Sequence, residues 1–201
     1  MKRILIGSTN PSKIAYYQHY LSEFDIEWYI LNDLHIQTLS QETGKTTKET
    51  AEIKAAYYGQ FFDSVICNDS GLYFLDFPLD DPIQPGIFVR RVNNKELTDE
   101  EMINYYSHLA SIHGGKLLAC YIQSYAIYED GKVTSFDVSS EYSKYFAFYM
   151  CDHQLDDYTL GWPIDSLSID TNLYTQEELD LKRQEYHRCF KEYLITTLKL
   201  K

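Results

Sequence analysis

The sequence predicts an α/β protein: a mixed, twisted sheet with flanking helices, in two lobes around a cleft. Three observations carry this expectation. Strand-like and helix-like segments alternate through the first half. Capping-box patterns open helices at Thr46, Thr98 and Thr175. A stretch rich in Tyr, Ile, Val and Phe, broken once, fills residues 116–148. At 201 residues the chain is long enough to bury a real core, and residues 1–201 read as a single domain.

The first strand is the run from Arg3 to Gly7. Asn10 can then cap a helix whose first position suits Pro11, since the missing N–H is one the helix never uses. Ile14, Tyr17, Leu21 and Phe24 follow at helical spacing. A second strand is expected over residues 27–31. The Thr46-Thr47-Lys48-Glu49 box starts a helix reaching about Phe61. Ser64 to Cys67 reads as a short buried strand that ends in a turn at Asn68-Asp69-Ser70-Gly71. Thr98-Asp99-Glu100-Glu101 opens a helix to about His108. Residues 116–128 and 133–148 read as strands joined by a hairpin at Glu129-Asp130-Gly131-Lys132. Thr175-Gln176-Glu177-Glu178 begins a last helix that reaches about Leu198.

Lys and Arg number 18 and Asp and Glu 30, a net charge of −12, which disfavours a long nucleic acid or an anionic membrane surface as partner. No apolar run approaches the roughly 20 residues that cross a bilayer. The apolar start turns polar at Ser8-Thr9-Asn10, too soon for a signal-peptide core. Cys67, Cys120, Cys151 and Cys189 are far apart, which suits reduced thiols rather than a zinc or disulfide framework. The expected setting is cytoplasmic. Nineteen tyrosines are a heavy load, placed in core strands or at a subunit interface.

Four segments could carry chemistry. Ser8-Thr9-Asn10-Pro11-Ser12-Lys13 sits at a strand-to-helix junction, where free N–H groups and the helix dipole favour an anion. Its hydroxyls, amide and ammonium suit phosphate oxygens, although for this segment alone a plain Asn cap beside a solvated lysine is the stronger explanation. Asp69 and Ser70 follow a buried strand, where α/β proteins place ligands; a simple Asp-Ser-Gly turn is the alternative. Glu49 has a local role in its capping box, whereas Glu42 has no such role unless it is merely solvated. Lys54 lies five residues after Glu49, off the ideal helical pairing distance. Lys182, His187 and Arg188 lie on the last helix, in what could be a mixed charged face.

The order of these segments resembles the inosine triphosphate pyrophosphatase family, which hydrolyses noncanonical purine nucleoside triphosphates. The family pattern reads S/T-x-N-x-x-K, E-T-G, E-N-A-x-x-K-A, D-D-S-G-L, P-G-x-x-S-A-R, F-G-Y/W-D-P and K-x(4)-H-R. The corresponding stretches here are Ser8 to Lys13, Glu42-Thr43-Gly44, Glu49 to Ala55 and Asn68 to Leu72. Pro85 to Arg91, Leu160-Gly161-Trp162-Pro163, and Lys182 with His187-Arg188 complete the set. The match is dense over residues 1–91 and thin between about 95 and 158.

The resemblance implies a single pyrophosphatase-like domain with a nucleotide-binding cleft, acting with Mg²⁺ on ITP, dITP or XTP, and a homodimer. By implication Ser8, Thr9, Asn10 and Lys13 cradle the triphosphate, with Lys13 also stabilising charge during the reaction, and Lys54 adds a second cation. Asp69 binds Mg²⁺ and helps activate water, Ser70 touches phosphate, and Glu42 or Glu49 supplies a second metal carboxylate. Trp162, beside Gly161, stacks on the base. Lys182 contacts the nucleotide, His187 and Arg188 bond the 6-oxo edge, and Arg91 lies near the site. The departures are Asn68 for an acid, Gln41 for a glutamate, Leu160 for Phe, Pro163 for Asp (with Asp165 two positions on) and Tyr186 for Ser. They keep two alternatives open: a nucleotide-binding or sensor module of the same fold with weakened catalysis, and a pyrophosphatase for another modified nucleotide.

Overall fold

The computed structural model describes residues 1–34, 40, 43–137 and 140–201. The elements in order are β1 (Lys2–Ile6), α1 (Pro11–Tyr20), β2 (Ile26–Ile30), α2 (Thr47–Tyr58), β3 (Ser64–Phe74) and the short pair β4 (Arg91–Val92) and β5 (Lys95–Glu96). They continue with α3 (Asp99–Ile112), β6 (Lys116–Glu129), β7 (Lys132–Asp137), the single turn α4 (Ser140–Ser143), β8 (Phe148–Cys151), β9 (Ser168–Asp170) and α5 (Gln176–Leu198). The sheet is mixed, in the order β2-β1-β3-β6-β8-β9, with β7 beside β6. β1 runs parallel to both β2 and β3, with Ile6 opposite Ile30 and Ile66. β6 is antiparallel to β7 and β8, and β8 to β9.

The chain divides into two compact units, one of residues 1–70, 123–138 and 185–201, the other of residues 71–122 and 139–184. In the first, alternate strand residues face opposite layers. Leu5, Val65, Cys67 and Ala126 pack with Ala51, Ala55 and Tyr58 of α2. Tyr125, which points to the other face, meets Tyr17 of α1 and Phe190 of α5. In the second unit Leu72, Phe74, Met102, Tyr106, Leu117, Met150 and Leu167 form the core. Each large apolar side chain fully buried in this way is worth about 1.5–3 kcal/mol.

Most boundaries follow the local signals. Asn10 Oδ1 accepts from Ser12 N–H at 2.9 Å and Pro11 opens α1. Thr98 and Glu101 form a reciprocal capping box, as do Thr175 and Glu178. The Asp130-Gly131 hairpin has φ of 51° and 75°, the left-handed pair that a two-residue turn needs.

Three expectations are corrected. At Thr46 only half of the box forms: Thr46 Oγ1 accepts from Glu49 N–H, but Glu49 Oε2 accepts from Lys45 N–H at 2.7 Å. The stretch 133–148 is not one strand, because β7 stops at Asp137 and α4 precedes β8. Asn68 to Gly71 is not a turn. β3 runs through it to Phe74, because Leu72 exchanges backbone hydrogen bonds with Gly86 at 2.9 and 3.0 Å. Gly71 permits that approach, since a Cβ there would sit 2.8 Å from Gly86 O.

Candidate functional site

β1 leads through α1 to β2 on one side, while β3 pairs on its other side, so the connections from the sheet reverse direction between β1 and β3. Ligands of α/β sheets bind at the carboxyl ends of strands at such a point. Gly7 N–H extends the pairing to Ile66 O at 2.8 Å, which sets the Ser8–Asn10 loop at the carboxyl end of β1. The loop is braced from within: Ser8 Oγ accepts from Asn10 N–H at 3.2 Å. Lys13 stands in the first turn of α1 beside it.

Because β3 continues, Asp69 shares the face of Val65 and Cys67, the face that α2 covers. There Lys54 Nζ donates to Asp69 Oδ1 at 3.2 Å, with side-chain exposures of 14% and 13%. Burial pushes the Cys67 thiol up to about 12, and both Lys54 and Lys13 pull against that rise. The two ammonium groups therefore both act on Cys67, two residues before Asp69 within β3. Asn68 and Ser70 point to the opposite face. Asn68 is buried, and its Oδ1 meets no hydrogen-bond partner among the described residues.

Glu42 and Gln41 lie outside the described residues. Glu49 is exposed, with one carboxylate oxygen on Lys45 N–H. Among the described residues, no group of three or more His, Cys, Asp or Glu side chains gathers as a metal cage. A single carboxylate, Asp69, beside Lys54 suits a Mg²⁺ that would arrive on a phosphate and keep most of its waters.

His187 and Arg188 are exposed on the same unit's part of α5. Tyr20 Oη donates to His187 O at 2.9 Å, and Arg188 pairs with Glu192 at 3.2 Å. Tyr186 turns inward, stacked on Phe190 at 6.0 Å with its hydroxyl 3.4 Å from that of Tyr125. Its departure from the family's Ser is thus a core feature, and it explains part of the tyrosine load.

The other unit holds Arg91, Gly161, Trp162 and Lys182. The Arg91 guanidinium lies over the Phe88 ring at 5.6 Å. Trp162 N–H donates to Thr159 O, which closes a turn with Gly161 at φ 85°, and the Trp162 ring meets Tyr121 edge-on at 6.2 Å. Lys182 is half-buried on α5. Sequence reasoning missed Asp99, Arg90 and Tyr20. Asp99 accepts from Gly161 N–H and from Arg90. It looked like an ordinary first-turn acid, and only its contact across 62 residues sets it apart.

A family model described as the Ham1 family matches residues 4–139. The chain belongs to the Ham1 family. It is 31% identical over 139 residues to a dITP/XTP pyrophosphatase of Oceanobacillus iheyensis, covering 68% of each chain. A dITP/XTP pyrophosphatase of Thermoanaerobacter pseudethanolicus is 31% identical over 100 residues, and there the chain spans about half of the relative, 48%. The solved Ham1 protein of Staphylococcus aureus superposes with a TM-score of 0.65 at 20% identity, covering 96% of this chain and 98% of that one. The Ham1 protein of Coxiella burnetii gives 0.63 at 19% identity, covering 96% and 100%. The mixed α/β architecture read from the sequence is that of these Ham1 structures. No helix among the described residues is long and apolar enough to cross a membrane.

Proposed function

We propose that this Ham1-family chain is a nucleoside triphosphate pyrophosphatase that takes noncanonical purine nucleotides such as ITP, dITP and XTP to the monophosphate and pyrophosphate. The observation that carries the reading is the Lys54–Asp69 pair, in the part of β3 that runs past the carboxyl end of β1. The N–H groups of the Ser8–Asn10 loop and the α1 dipole hold the triphosphate, with the Ser70 hydroxyl as a further donor. Asp69, with Glu42 or Glu49, would hold Mg²⁺, which supplies charge neutralisation at the phosphates.

A water oxygen attacks the α-phosphorus, its proton passes to Asp69, and the bond from the α-phosphorus to the β-bridging oxygen breaks. Pyrophosphate leaves with that electron pair. Lys13 and Lys54 meet the charge that builds on the phosphoryl oxygens. Gly161 and Trp162 present a stacking surface for the base, and Lys182 and Arg91 are further nucleotide contacts. His187 and Arg188 donate to the 6-oxo group. A 6-amino purine would leave those donors unpaired, which is a strong ground for rejection.

The supporting ground for Mg²⁺ and a homodimer is the motif resemblance, for a cytoplasmic setting the four widely spaced cysteines, and for the absence of a long nucleic acid or membrane partner the −12 charge. Asn68 favours a second reading, a binding module with weakened turnover. The test is a panel of ITP, XTP, dITP, dUTP, GTP and ATP with Mg²⁺, scored for pyrophosphate and orthophosphate. Pyrophosphate released selectively from ITP, dITP or XTP supports the enzyme. Binding without turnover supports the module, and orthophosphate overturns the pyrophosphatase.

A further inference from the structure

We propose that Asp99 is a positioning residue for purine recognition, acting through the Gly161–Trp162 turn. The inference rests on the proposed stacking role of Trp162 and deepens it.

Asp99 opens α3 one residue after its Thr98 cap. Its side chain, 12% exposed, is fully engaged: Oδ2 accepts from Gly161 N–H at 3.0 Å and Oδ1 from Arg90 Nη2 at 2.6 Å. Arg90 is itself fixed, since Nη1 donates to Leu97 O at 3.0 Å and its own carbonyl accepts from Leu97 N–H at 2.8 Å. Burial alone would raise the Asp99 carboxyl. The Gly161 N–H, the Arg90 hydrogen bond and the Arg90 charge outweigh it and hold the group below the usual carboxylate range. Charge-assisted bonds of this kind are short and about twice as strong as neutral ones.

The turn it grips also closes through Trp162 N–H on Thr159 O at 2.8 Å. Leu160 is 70% exposed, and Gly161 uses a left-handed φ of 85°. The Trp162 ring is the next side chain after the clamped N–H, and Tyr121 braces it edge-on. A carboxylate on the rigid end of α3 thereby fixes the backbone from which the stacking ring projects.

The test uses the full chain carrying Trp28→Phe, which leaves Trp162 as the single tryptophan. Asp99→Ala and Asp99→Asn are compared by kcat, by KM for dITP and XTP, and by Trp162 fluorescence anisotropy and acrylamide quenching. Asp99→Ala is expected to raise KM about tenfold or more with kcat changed by less than about threefold, the signature of lost uniform binding. Trp162 becomes more mobile and more readily quenched. Asp99→Asn, whose amide oxygen still accepts from Gly161, falls between, and it keeps the test open if Asp99→Ala does not fold. Unchanged KM and unchanged Trp162 signals in a folded variant overturn the inference, as does a loss confined to kcat. If the parent protein neither binds nor hydrolyses purine triphosphates, the functional reading fails instead, and the Trp162 signals alone report on the clamp.

Discussion

Lys54 and Asp69 meet at 3.2 Å between α2 and β3, each about seven-eighths shielded from solvent. The pair exists because β3 does not stop where its sequence suggests. Had Asn68 to Gly71 formed a turn, Asp69 would have left the sheet face that α2 covers. Continuation of the strand keeps its carboxylate in line with Val65 and Cys67, at the height where Lys54 emerges from α2.

Asp69→Asn should lower turnover by about 10²–10³-fold while nucleotide binding survives, because the amide occupies the same space without accepting the water's proton. Lys54→Met should weaken triphosphate binding and turnover together. Steady-state kinetics with an equilibrium nucleotide titration on each variant separates the two effects. Undiminished turnover in Asp69→Asn refutes its role.

Gly7→Ala should destabilise the protein by about 1–3 kcal/mol, the usual cost of overpacking. A Cβ there would overlap Cys67 Sγ and lie 2.9 Å from Tyr58 Cδ2. Relief requires β1 to shift, and the Ser8–Asn10 loop moves with it, so nucleotide affinity should fall with the denaturation midpoint. A urea titration beside a binding titration checks both, and an unchanged midpoint contradicts the packing described.

Arg188→Ala should leave stability within about 0.5 kcal/mol of the parent, because its pairing with Glu192 is an exposed helical ion pair. Its effect should fall on selectivity: the preference for 6-oxo over 6-amino purines narrows. Comparing kcat/KM for dITP and dATP reads this directly.

The alkaline limb carries a signature of the tyrosine load. Burial raises Tyr17, Tyr106, Tyr121 and Tyr125 far above their ordinary 10.0, and it brings Tyr20, Tyr186 and Tyr193 to about 12. Cys67 is likewise pushed to about 12 from 9.0. The folded state then keeps protons that the unfolded chain releases, so stability from these groups is complete below about pH 9. It is lost as pH rises through the folded-state values. A spectrophotometric titration should show these seven phenols protonated through about pH 11 in the folded protein, and normal titration in denaturant. Early titration of all of them contradicts the burial.

Local rules made much of the fold legible. Asn10-Pro11, Thr98–Glu101, Thr175–Glu178 and Asp130-Gly131 each specify a boundary through their nearest neighbours, and each forms as expected. The failures are non-local. Nothing within Asn68 to Gly71 announces that Gly86 will bond Leu72 and keep the strand going. Likewise Glu49 and Thr46 carry the capping-box spacing, yet the carboxylate reaches Lys45 instead. The residues proposed for the phosphate side stand out in the sequence as an ordered motif set. Asp99 was not, because its partner Gly161 lies far along the chain and its own position already had an ordinary explanation.

The most direct test is hydrolysis of dITP or XTP in oxygen-18 water, with mass analysis of both products. Attack at the α-phosphorus puts one labelled oxygen into the nucleoside monophosphate and none into the pyrophosphate. Label in the pyrophosphate, or release of labelled orthophosphate, contradicts the proposed reaction.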